Sequence, residues 1–171
     1  LYAKDKGLTG IKAILIYPMN ALANSQYQEL AIKLEGSGLK IGLYTGDTEE
    51  EGGAALSAYK EIFGADAVPK DCEIIDRTQL RRSPPDILIT NYAQLELMLT
   101  RQVDMDLFAE GRKENLQYLV LDEIHTYSGK QGADVAFLIR RLKQKTNTKG
   151  RLLCIGTSAT MVSDKADDKS N

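Results

Sequence analysis

Five short apolar runs recur along the chain: Ala13–Tyr17 (AILIY), Ile41–Tyr44 (IGLY), Ile87–Ile89 (ILI), Tyr118–Leu121 (YLVL) and Leu152–Ile155 (LLCI). Each is continuous rather than alternating, which predicts strands covered on both faces, as in a parallel sheet. The segments between them carry helical spacing. Tyr27, Leu30, Ala31 and Leu34 fall at i, i+3, i+4 and i+7, one face of a helix that should stop at Gly36-Ser37-Gly38. Val135, Leu138, Ile139 and Leu142 repeat the stripe, and Arg140, Arg141, Lys143 and Lys145 place positive charge where a helix dipole favours it. Strand–helix alternation of this kind predicts an α/β domain with crossover helices. The stretch from Glu49 to Pro85 breaks the rhythm. A helix is expected over Ala54–Phe63 and a short one over Arg77–Arg82, with Pro84-Pro85 forcing an extended approach to the next strand. The polar end, 161–171, reads as a flexible tail or linker behind a domain spanning 1–160.

Composition narrows the picture. With 171 residues, 43% hydrophobic and 27% charged, the chain suits one globular domain with an ordinary core. A net charge of −2 leaves no global electrostatic footprint for nucleic acid, so any such binding is local. Two cysteines without CxxC spacing, and His125 as the single histidine, argue against a structural zinc site. Cys154, inside an apolar run, is expected to be buried as a small hydrophobe. No apolar run is long enough to span a bilayer and no signal peptide is visible, so a reduced, cytoplasmic setting is the expectation.

The chemistry concentrates after the fourth apolar run, in Tyr118-Leu-Val-Leu-Asp-Glu-Ile-His125. Two adjacent carboxylates at a strand end lie where an open parallel sheet binds its ligands. One can hold Mg²⁺ through water and the next can orient or deprotonate an attacking water, which assigns Asp122 to the metal and Glu123 to the water. A solvated strand end leading into a helix N-terminus would use the same residues. Gly156-Thr-Ser-Ala-Thr160 follows the last run and by itself is compatible with an ordinary polar turn.

Taken in order, these segments resemble the first motor domain of superfamily 2 helicases. Asp122-Glu-Ile-His125 is similar to the Walker B box of the DExH type, and Ser158-Ala159-Thr160 to motif III. Tyr17-Pro-Met-Asn-Ala-Leu-Ala-Asn-Ser-Gln26 resembles motif Ia, and Tyr44-Thr-Gly-Asp47 the turn between these motifs. Asp86-Ile-Leu-Ile-Thr-Asn91 resembles the strand entering the Thr-Pro-Glu type motif, although Tyr92 and Ala93 depart from its proline and glutamate. The set spans Ile14 to Thr160, and its flavour is that of bacterial Lhr-like and MrfA (YprA)-like DNA helicases.

The resemblance implies a RecA-like P-loop NTPase fold, a mostly parallel sheet flanked by helices. It implies ATP and Mg²⁺ as cofactors, catalytic roles for Asp122, Glu123 and His125, and coupling through Ser158, Ala159 and Thr160. His125 would bridge to motif III or to a second RecA-like domain of the same chain. For nucleic acid, meaning single-stranded or partly duplex DNA, it implies backbone contacts from Pro18, Asn20, Asn24, Gln26, Gly46, Thr90 and Asn91. Helix capping is the alternative for Asn20 and Asn24. Arg81-Arg82 and Lys143/Lys145 are expected to be solvated faces. No GxxxxGK[ST] phosphate loop occurs in the 171 residues. The chain is therefore expected to start just before motif Ia, to be inactive alone, and to leave Leu152–Ile155 as an edge prone to self-association. A RecA-like scaffold without catalysis and an RNA helicase are the competing readings.

Overall fold

A computed structural model describes residues 7–158. Ala159 and Thr160 of the motif III segment, and the expected tail, lie outside the described residues. Six parallel strands form one sheet in the order β3-β2-β4-β1-β5-β6. They are β1 (Ala13–Tyr17), β2 (Ile41–Tyr44), β3 (Glu73–Ile74), β4 (Ile87–Asn91), β5 (Tyr118–Leu121) and β6 (Leu153–Gly156). The helices are α1 (Asn20–Leu34), α2 (Gly52–Phe63), α3 (Arg77–Arg82), α4 (Tyr92–Thr100) and α5 (Gly129–Lys145), with 3-10 turns at Gln102–Phe108, Lys113–Asn115 and Ile124–Thr126.

The continuous apolar runs become central strands because successive residues feed opposite faces. Ile14 and Ile16 of β1 join one core cluster while Leu15 and Tyr17 pack on the other. In β4, Leu88 belongs to the first cluster and Ile87 and Ile89 to the second. Helix α1 covers the second face with Ala23, Tyr27 and Ala31. Helices α4 and α5 cover the first with Leu95, Met98, Leu138 and Leu142. Each such large apolar side chain taken out of water contributes about 1.5–3 kcal/mol before entropy is charged. Gly42 in β2 is required by close packing: a Cβ there would lie 2.2 Å from Leu80 Cδ2 and 3.0 Å from Pro85 Cγ.

Three features depart from expectation. The two-residue strand β3 pairs with β2 in parallel, a contact too short to leave a periodic signal. Helix α4 follows β4 directly, because the Asn91 side chain accepts a hydrogen bond from the Gln94 N–H and caps it. Cys154 is exposed, contrary to the expected burial. It lies on β6, which among the described residues pairs only with β5 and leaves all four of its residues exposed, the edge position expected for Leu152–Ile155.

Candidate functional site

All six strands run the same way, so their carboxyl ends share one edge of the sheet. Tyr17 lies opposite Asn91, Tyr44 opposite Thr90, Ile16 opposite Leu121, and Leu121 opposite Gly156. Every described motif segment reaches this edge. The segments gather into two groups, one acidic and one amide-rich.

The acidic group grows from β5 and β6. The Asp122 N–H donates to the Ile16 carbonyl at 2.9 Å, which seats the carboxylate beside the end of β1. Thr157 then ties three atoms. Its hydroxyl donates to the Asp122 carboxylate, its N–H donates to the Leu121 carbonyl at 2.9 Å, and its carbonyl accepts from the Ile124 N–H at 2.8 Å. Gly156 permits this closeness: a Cβ there would meet Ile124 Cδ1 at 2.5 Å. Glu123 adopts the left-handed region at φ 51°, ψ 48°, an uncommon place for a glutamate. The Thr126 N–H and hydroxyl, each 2.8 Å from the Glu123 carbonyl, hold it there. His125 Nδ1 lies 2.9 Å from Ser158 Oγ and 3.1 Å from the Glu123 carboxylate. The expected histidine–motif III contact is therefore made through Ser158. The Tyr17 and Tyr127 phenols titrate above the usual tyrosine range, chiefly from burial and then from the Asp122 charge.

Among the described residues no cluster of three or more His, Cys, Asp or Glu side chains could cage a metal. The oxygen chemistry of Asp122 fits Mg²⁺, which is commonly held by one or two carboxylates with water and phosphate completing its shell. With Thr157 donating to its Oδ1, the carboxylate is oriented while still able to accept from metal-bound water.

The amide group joins three strand ends. Asn91 Nδ2 donates to Asn20 Oδ1 at 2.7 Å, and Asn20 Nδ2 donates to Asp47 Oδ2 at 2.9 Å. Asn20 is the first residue of α1 and makes these links, while Met19 holds the cap position without a side-chain bond. Gly46 is exposed beside Asp47, and Pro18 is half-buried after β1. Thr90 is fully buried and its hydroxyl donates to the Tyr44 carbonyl at 2.6 Å. Asn24 and Gln26 are half-buried one turn or more along α1 and do not hydrogen-bond to this set. The buried Asn24 Oδ1 has no partner among the described residues.

The sequence pattern does not reveal the support beneath this group. Arg81, expected on a solvated face, is largely buried and reaches Glu50 at 2.6 Å, Asp104 at 2.9 Å and the Tyr44 hydroxyl at 3.2 Å. Arg82 alone is exposed as expected. Arg77 donates to the carbonyls of Thr45 at 3.0 Å and Gly46 at 3.3 Å, with its guanidinium 5.2 Å from the Tyr44 ring centroid. The Glu50 carboxyl titrates below its ordinary range because Arg81 bonds to its charged form. Burial, followed by the hydrogen bond to Asp104, pushes the Tyr44 phenol up to about 12. An arginine pair at i, i+4 is visible in the sequence, but its partner Asp104 lies 23 residues beyond Arg81, and nothing local links the two.

The sheet and its strand-end site define a RecA-like α/β motor domain. The chain belongs to the DEAD/DEAH box helicase family, which it matches over residues 2–168. It is 32% identical over 159 residues to the Bacillus subtilis (strain 168) protein described as uncharacterized ATP-dependent helicase YprA, covering 90% of this chain and 17% of that protein. It is 26% identical over 168 residues to the Lhr helicase/uracil glycosylase of Escherichia coli (strain K12), covering 91% and 9%. Its fold superposes with a TM-score of 0.62 and 31% identity on the crystal structure of the DUF1998 helicase MrfA bound to DNA and AMPPNP, covering 96% of this chain and 19% of that one. The chain thus spans only 9% to 19% of the lengths of these relatives. They are of the Lhr-like and MrfA (YprA)-like flavour to which the motifs pointed.

Proposed function

We propose that this chain is part of the first motor domain of an ATP-dependent DNA helicase or translocase. The observation that carries the reading is the Asp122–Glu123 pair at the carboxyl end of β5, with Asp122 oriented by the Thr157 hydroxyl. The names of YprA, Lhr and MrfA, and the DNA and AMPPNP in the MrfA crystal structure, support it. Asp122 would hold Mg²⁺ through water, and the ion would supply charge neutralisation at the nucleotide phosphates. Glu123 orients the attacking water and accepts its proton. His125 and Ser158, with Ala159 and Thr160 beyond the described residues, relay the state of the site to a second RecA-like domain. The Asn20–Asp47–Asn91 group, with Pro18, Gly46 and the neighbouring Asn24 and Gln26, lies along the backbone of single-stranded or partly duplex DNA. Thr90 serves from beneath, through the Tyr44 carbonyl. The setting is the cytoplasm. Because no GxxxxGK[ST] loop occurs in these 171 residues, the chain alone hydrolyses no ATP. The open edge of β6 makes the chain alone self-associate, which light scattering checks.

The deciding experiment is ATPase stimulation of the full-length protein by single-stranded DNA and by RNA. Turnover is expected with DNA and lost in Glu123→Gln with ATP still bound. Turnover unaffected by Glu123→Gln removes the assignment of the base. Preference for RNA changes the substrate, and absence of turnover leaves the scaffold reading.

A further inference from the structure

The turn Thr45-Gly46-Asp47 has an imbalance of backbone polarity that one buried side chain creates. Two of its carbonyls, from Thr45 and Gly46, accept from the same Arg77 nitrogen at 3.0 and 3.3 Å. The Asp47 N–H donates to Thr45 Oγ1 at 3.3 Å and the Thr45 N–H to Thr48 Oγ1 at 2.9 Å. Among the described residues the Gly46 N–H has no partner, and Gly46 is exposed with open space around its Cα. Arginine therefore consumes the turn's acceptors and leaves it a donor. A turn with bound carbonyls, a free N–H and a guanidinium behind it is polarised to receive an anion.

Arg77 itself is fixed from several sides. Its guanidinium lies over the Tyr44 ring and 3.6 Å from the Glu50 carboxylate. Its own N–H donates to the Glu49 carbonyl at 3.0 Å. Glu50 is in turn held by Arg81, which is anchored on fully buried Asp104. The arginine is too enclosed to touch a nucleic-acid strand directly, since its side chain is only 15% exposed. It acts through the turn.

We infer that Arg77 is a positioning residue that presents the Gly46 N–H to one backbone phosphate of the nucleic-acid strand. This rests on the proposed function and names a residue that none of the motifs contains. The guanidinium geometry is specific: lysine keeps the charge but cannot lie flat over the Tyr44 ring with one nitrogen on the two carbonyls and another facing Glu50.

The test uses the full-length protein, a mixed-sequence single-stranded DNA oligonucleotide, and two readouts: the oligonucleotide concentration giving half-maximal ATPase, and the salt dependence of binding by fluorescence anisotropy. In Arg77→Ala the half-maximal concentration is expected to rise about tenfold with the saturated rate held within about twofold. The slope of log affinity against log salt should become shallower, by less than the roughly 0.7 that one directly neutralised phosphate contributes on a single strand, because the contacting group is an uncharged N–H with the guanidinium behind it. A loss of packing alone would not change that slope. Arg77→Lys should fall between, at about threefold, and stands in if the alanine variant does not fold. A folded variant with unchanged half-maximal concentration and salt slope overturns the inference, as does a lower saturated rate at unchanged affinity. If the wild-type protein neither binds the oligonucleotide nor is stimulated by it, the proposed function falls and the inference with it, which is a different result from a silent Arg77 variant.

Discussion

The Asn91 side-chain amide donates to the Asn20 side-chain carbonyl at 2.7 Å, stitching the end of β4 to the start of the helix that follows β1. Asn20 passes the link to the Asp47 carboxylate at 2.9 Å. An anion already occupies the amide donor that the proposed function offers to a nucleic-acid phosphate. Asp47→Asn removes that negative charge while keeping a hydrogen-bonding side chain. Affinity of the full-length protein for single-stranded DNA is expected to rise about three- to tenfold at low salt, with the gain shrinking as salt screens the charge. Fluorescence anisotropy across a salt series measures it. Equal or weaker binding at every salt concentration would show that Asp47 does not compete for the Asn20 donor.

Thr157 is the orienting partner of Asp122. Thr157→Val keeps the shape and removes the hydroxyl, leaving the carboxylate free to rotate. Loss of an outer partner of this kind costs about 10–100-fold in activity or metal affinity. A Mg²⁺ titration of DNA-stimulated ATPase should show a raised Mg²⁺ requirement in Thr157→Val and near-normal behaviour in Thr157→Ser. Identical Mg²⁺ curves for the valine variant and the wild type would remove Thr157 from the site.

Gly42 leaves no room for a side chain. Leu80, the nearest obstacle, is fully buried and cannot retreat. Gly42→Ala is expected to destabilise the domain by about 1–3 kcal/mol through overpacking. A urea midpoint shifted down with unchanged m-value is the expected reading, and an unshifted midpoint would contradict the close packing of Gly42 on Leu80.

The Tyr44 phenol, pushed up to about 12, ties alkaline stability to the buried cluster. The unfolded phenol ionises near 10, so stability is intact below that pH and is lost between pH 10 and about 12, where the unfolded chain releases a proton that the fold retains. The loss reaches roughly 2–3 kcal/mol at the upper end. Tyr27 and Tyr59 are also raised, Tyr27 well above the ordinary value, and add to the same slope. Urea unfolding at several alkaline pH values should therefore show a shallower decline in Tyr44→Phe than in the wild type. Parallel declines would place the Tyr44 phenol outside the coupled network.

The acidic group is legible in the amino-acid sequence because its residues are contiguous and its strand is a plain apolar run. Asp122, Glu123 and His125 follow Leu121 within four positions, and the spacing to Ser158 leaves one partner to find. The arginine cluster is not legible. Arg77 acts on Thr45 and Gly46 from 31 or more residues away, and Asp104 is buried in a 3-10 turn that carries no periodicity. Arg81 reads as a surface charge because sequence shows the charge of a side chain and not the carboxylate that accompanies it into the core.

What the sequence by itself determined is the order of the five longer strands, the parallel sheet and the position of the carboxylate pair, since these follow from runs and spacings of a few residues. Only the tertiary structure decided that the Cys154 side chain is exposed, that Asn20, Asp47 and Asn91 form one hydrogen-bonded group, and that Arg77 takes up the acceptors of the Gly46 turn. Those depend on which strands become neighbours. In a parallel sheet each neighbour lies a full crossover away along the chain, so contacts across the strand ends leave no local trace.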